Sequence, residues 1–97
     1  MITAQIKNCA SKLIDQAHQA IEAYNSSDPF PERILVLDPP PSTWAQGDDD
    51  HAVLQELVGL RDMIKKVLDA KHPDRHAAVF EIQQRTSTIS QLLGNSD

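Results

Sequence analysis

Histidines and carboxylates set a few residues apart are the first place to look for chemistry, and this chain offers one such run: His72, Asp74 and His76. Two imidazoles at i and i+4 can share a helix face and hold a metal ion. Here Pro73 stands between them, in the position where a helix begins, so helical geometry does not extend back to His72. The other histidines, His18 and His51, fall on separate segments, and no metal site is expected. The acidic run Asp48-Asp49-Asp50 lacks the glycine and glutamate spacing of a calcium loop and reads as solvated carboxylates at a helix start. Cys9, the single cysteine, excludes an intrachain disulfide. Lying between Ile6 and Leu13, it reads as a small buried hydrophobe rather than a reactive thiol. Nucleophilic catalysis needs a Ser or Cys beside a base and an oxyanion cradle. The 3 glycines form no such cradle. No catalytic residue, cofactor or metal is assigned, and the chain is expected not to be an enzyme.

The elements that would have to position any such groups are clearer. Three apolar stripes step by three and four: Ile6, Ala10, Leu13, Ala17, Ala20, Tyr24; then Val53, Leu57, Leu60, Ile64, Val67; then Val79, Ile82, Thr86, Ile89, Leu93. That spacing lays a narrow seam along an α-helix, of the kind another helix covers. The first helix is expected over about 3–24, with Thr3 as a candidate N-cap, and the second over about 51–71. The second is led by the three aspartates and closed by Arg61, Lys65, Lys66 and Lys71, an order that suits the helix dipole. Gly59 weakens it by about 1 kcal/mol relative to Ala and marks a close helix contact. The third is expected over about 74–93, and its Thr86, Ser87, Thr88 and Ser90 are weak helix formers that packing must hold. With 97 residues, 40% apolar and 4% aromatic, the chain makes one domain with a thin core of Leu, Ile, Val and Ala. The fold class is all-α, a small antiparallel bundle of two to three long helices. The second and third should form a hairpin across their short junction, while the longer crossover leaves the relative direction of the first two open.

That crossover, 25–50, holds Pro29, Pro31, Pro39, Pro40 and Pro41, five of the 6 prolines, and cannot be regular helix. Inside it lies the apolar run Ile34-Leu35-Val36-Leu37. It reads as an extended strap across the helices, a short strand pairing with a copy or a partner, or a linker carrying an exposed motif. Pro39 to Pro41 favour polyproline II. Phe30 and Trp44, large aromatics in a polar segment, either fold back to close the core or protrude as anchors for a partner; core closure is the first reading for them.

The tripeptide His72-Pro73-Asp74, preceded by Arg61, Lys65 and Lys66 on an otherwise apolar helix with Leu60, Ile64, Val67 and Leu68, and followed by Arg75, resembles the signature loop of J-domain co-chaperones. The resemblance covers about a quarter of the chain and implies stimulation of a heat-shock ATPase through that loop. Lys71 stands where the family places an aromatic, no opening helix fits before Leu60, and the step from Asp74 to Phe80 and Ile82 is short. The same residues also make a plain helix–turn–helix junction, the reading preferred here.

Net charge is −5, which disfavours phosphate backbones as a partner. Contact with nucleic acid through the basic half of the second helix is a further alternative. No stretch approaches the ~20 apolar residues of a membrane span. Gln5, Lys7 and Asn8 interrupt any leader-like pattern, so a cytoplasmic location is expected. The leading expectation is a small protein–protein interaction module, an adaptor, assembly chaperone or inhibitor that partners another protein as a homodimer or heteromer. Its partner-binding residues would be Phe30, Ile34, Leu35, Val36, Leu37 and Trp44.

Overall fold

The computed structural model describes residues 2–26, 37–69, 71 and 73–95. Three long helices carry the fold: α1 (Ala4–Ser26), α2 (Asp48–Leu68) and α3 (Arg75–Asn95), with a short 3₁₀ turn at Ser42–Trp44 and no strand among the described residues. The chain is the all-α bundle that its three stripes require.

Each stripe is the buried seam of its helix. Ile6, Ala10, Leu13, Ala17 and Ala20 of α1, Val53, Leu57, Leu60, Ile64 and Val67 of α2, and Val79, Ile82, Thr86 and Ile89 of α3 are all buried, joined by Ile2, Leu54 and Ala78. Full burial of a Leu or Ile side chain stabilises by roughly 1.5–3 kcal/mol, so Leu57, Leu60, Ile64, Ile82 and Ile89, all sealed from solvent, carry much of the fold. Tyr24 and Leu93, the outer members of their stripes, are partly buried against this cluster.

Side-chain pairs fix the helix directions. Thr3, just ahead of α1, bonds to Asp50 in the first turn of α2, so α1 and α2 begin at the same end and run parallel. Glu56 meets Arg85, Val67 meets Arg75, and Tyr24 meets His76, so α3 runs antiparallel to both. The long crossover exists because a parallel pair cannot be joined by a tight turn.

Helix ends follow local chemistry. Gly47 in an extended conformation precedes α2, and all three aspartates lie within its first turn, placing negative charge on free N–H groups. The helix stops at Leu68 rather than Lys71 because the Asp69 carboxylate accepts the Lys71 N–H at 3.1 Å, a local turn that competes with helix. The Arg75 Nε donates to the Val67 carbonyl at 2.6 Å and satisfies one of the orphan acceptors at that end. Asp74 gives its carbonyl to the Ala78 N–H at 2.9 Å and so starts α3. At Gly59 the expected close contact is made by a side chain: the Arg85 guanidinium lies where a Cβ would stand. Arg85 also bonds Glu56 at 3.0 Å and Glu81 at 2.9 Å, linking α3 to α2.

Candidate protein-binding surface

From Leu37 to Gln46 the crossover lies over the junction of α1 and α2 as a strap. The Leu37 N–H donates to the Gln16 side chain of α1 at 3.0 Å. The next residue, Asp38, pairs with Arg61 of α2 at 3.3 Å. Pro40 is buried, and Pro41 (φ −63, ψ 148) is in the polyproline region. Ser42–Trp44 then make one 3₁₀ turn, with the Trp44 and Ala45 N–H groups donating to Pro41 and Ser42 carbonyls. Three prolines keep the strap extended while donating no backbone hydrogen bonds of their own.

Its far end is pinned by Asp50. This carboxylate is fully buried, not solvated as its place in an acidic run implied. It accepts the Thr3 N–H at 2.8 Å, the Thr3 hydroxyl at 2.6 Å and the Gln46 N–H at 2.8 Å. Burial alone would push the carboxyl up, but the hydroxyl and the two N–H donors favour the ionised form and hold it below the ordinary carboxylate value. Parallel α1 and α2 bring two positive helix ends together, and one negative charge between them offsets that repulsion. Asp50 thus joins α1, α2 and the strap at one point. Sequence reading missed this, yet a signal was there: stepping the second seam back from Val53 by three residues lands on Asp50.

Of the expected partner-binding residues, Leu37 is 39% exposed and Trp44 40% exposed. Trp44 therefore does not close the core; Pro40 and Ala45, its neighbours on the strap, turn inward instead. Val58, 41% exposed, lies on α2 one turn before Arg61. Phe30, Ile34, Leu35 and Val36 lie outside the described residues.

Residues singled out for other chemistry are dispersed. Cys9 is half-buried. Pro73 and Asp74 are exposed at the tip of the α2–α3 hairpin, and His72 lies outside the described residues. His76 is 3.0 Å from the Tyr24 hydroxyl in a hydrogen bond and meets Phe80 edge to face at 5.1 Å, while Arg75 stacks over Tyr24 at 5.0 Å. Of the cations near the hairpin, Arg61 is tied to Asp38 and Asp62 and Arg75 to Val67 and Tyr24. No helix among the described residues is long and apolar enough to cross a membrane.

A second surface, invisible to sequence reading, lies opposite the strap. Between α1 and α3 the bundle leaves a groove of about 720 Å³, lined by His18, Ile21, Glu22 and Asn25 from α1 and by Gln83 and Thr86 from α3. One turn from Gln83 stands Phe80, at 55% the most exposed large apolar side chain among the described residues.

Compared with protein-family models, with curated proteins and with solved structures, this chain finds no match.

Proposed function

We propose that this protein is a small non-enzymatic module that binds another protein through its strap. The observation that carries this reading is the half-exposed state of Leu37 and Trp44 on a segment that is itself fastened at both ends. Binding surfaces gain from anchors held in place beforehand, because less ordering entropy is lost on association. Tryptophan is among the strongest interface anchors, and this one ends a 3₁₀ turn that follows a polyproline-like stretch, between ties to α1, α2 and Asp50. An adaptor, assembly chaperone or inhibitor fits this arrangement.

The test places a photo-crosslinking residue at position 44 and, in a second version, at Gln55, an exposed position on α2 turned away from the Leu57 seam. Expressed in the native host, the first version is expected to capture a defined protein that the second does not. With that protein purified, Trp44→Ala should weaken binding by tenfold or more, about 1.4 kcal/mol, and leave the helical content unchanged. Equal capture from both positions, or unaltered affinity of the alanine variant, would refute the reading.

A further inference from the structure

We infer that the strap is fastened by a clasp that acid opens: one proton taken up at Oδ2 of Asp50 releases the Gln46 N–H, and the strap comes away while the three helices stay packed. This holds whether or not the strap binds a partner.

The donors around Asp50 share its two oxygens unequally. The Thr3 N–H donates to Oδ1 at 2.8 Å, while the Thr3 hydroxyl at 2.6 Å and the Gln46 N–H at 2.8 Å both donate to Oδ2. A carboxyl that gains a proton turns one of its oxygens into a donor. On Oδ1 that proton would face the Thr3 N–H, a backbone donor that cannot turn round. On Oδ2 it meets the Thr3 hydroxyl, which can rotate and accept it. Oδ2 is therefore the oxygen that takes the proton, and the Gln46 N–H is the group left to water. The bond from the Thr3 N–H to Oδ1 survives, so α1 and α2 stay joined where the strap does not.

Little else holds that end of the strap. Its backbone donors to the helices are Leu37, bonded to Gln16, and Gln46, and its prolines have no N–H to add. The Asp38–Arg61 pair is 3.3 Å long with the Asp38 side chain 81% exposed, an ion pair of the kind that contributes little, and it too is lost once its carboxylate is protonated. The seams that join the helices behave differently. Leu13, Leu57, Leu60, Ile64 and Ile82 are apolar and sealed from solvent, and none of them titrates.

Charges around Asp50 set the direction of the change. Asp48, Asp49 and His51, in the same turn of α2, are exposed; Lys7, one turn into α1, is half-buried; and Asp38, the one charge on the strap, stands at its other end. Residues 86–95 of α3, the part running toward this end, carry no charge. Burial opposes the charge on Asp50, but its hydrogen bonds and the positive charge at the chain's amino end outweigh it. The clasp is closed above the ordinary carboxylate value near ~4 and opens as pH falls through the lower value of the folded chain.

Trp44, the single tryptophan, sits on the strap two residues before Gln46 and reports on it directly, while far-ultraviolet circular dichroism reports on the helices. As pH is lowered, acrylamide quenching of Trp44 should rise and its emission anisotropy fall before helical signal is lost, with midpoints about one pH unit or more apart. Asp50→Asn, which sets a fixed amide donor on the same frame, should show the released quenching at neutral pH and no acid step. Thr3→Val removes the hydroxyl that favours the ionised form and should move the step upward by about half a pH unit or more. Asp38→Asn should leave the step where it is. Coincident Trp44 and dichroism curves in the wild type overturn the inference, as does a step that survives Asp50→Asn, moves with Asp38→Asn or ignores Thr3→Val. If Asp50→Asn does not fold, the wild-type and Thr3→Val curves decide alone.

Discussion

Asp50 is the residue on which most depends, because three donors from two other parts of the chain converge on it. Replacing it by alanine removes their acceptor and leaves part-buried N–H groups without this partner, at about 1–3 kcal/mol for a group so orphaned. We expect Asp50→Ala to lose about 3 kcal/mol in urea unfolding and Asp50→Asn, which keeps the shape and loses the charge, about half of that. The pH dependence has a definite sign. The folded carboxyl sits below its ordinary value, so its contribution is complete above the unfolded value near ~4 and is lost as pH falls through the folded one. Urea midpoints of the wild type should therefore drop steeply below about pH 4, and those of Asp50→Asn should drop less. Equal acid sensitivity of the two would show that Asp50 is not the group responsible. The seam residues were legible one by one, because burial on a helix follows a fixed period. Asp50 was not, because an aspartate in an acidic run before a helix looks solvated until the Thr3 and Gln46 donors come into view. The exposure of Trp44 was misread for a related reason: composition made a core role attractive, but Pro40 and Ala45 supply the inward contacts.

At the level of elements, α2 is the spine. It touches α1 and the strap on one side and α3 on the other, and its contact with α3 passes through Arg85 lying over Gly59. Gly59→Ala sets two effects against each other. Helix propensity favours alanine by about 0.8–1 kcal/mol, while the added Cβ pushes the Arg85 guanidinium off Glu56 and Glu81. Partly exposed ion pairs of this kind contribute about 0.2–1 kcal/mol, and the atoms displaced are the far end of a flexible side chain. The effects cancel, and thermal unfolding should place the variant within about 0.5 kcal/mol of wild type. A loss of 2 kcal/mol or more, on the order of a buried contact, would mean that backbone rather than side chain is being moved. The glycine itself announced a close approach, but nothing in the sequence named an arginine 26 residues away as the cause. The α2–α3 hairpin was likewise legible from a short junction, whereas the end of α2 at Leu68 depends on an Asp69 turn that competes with an unbroken apolar pattern.

Across the whole molecule, stability is uneven. The C-terminal half of α1 packs through Ala17 and Ala20, which bury little area, and it borders the open groove, while Val53 to Ile64 are enclosed from both sides. Amide exchange should run about tenfold or more faster over Ala17–Ala23 than over Val53–Ile64. Equal rates would mean that the bundle opens only as a unit. The groove behind this difference was beyond sequence reading, because a stripe says that a seam is covered but not on which flank the cover stops. The shared starting end of α1 and α2 carries one more consequence. Returning along a helix of 23 residues means spanning about 34 Å, which takes roughly ten residues of extended chain. The link from Ser26 to Asp48 has about twice that many, more than the distance alone requires. A loop of four would instead force α2 to turn around, carrying Asp50 to the opposite pole from Thr3 and leaving the carboxylate stranded.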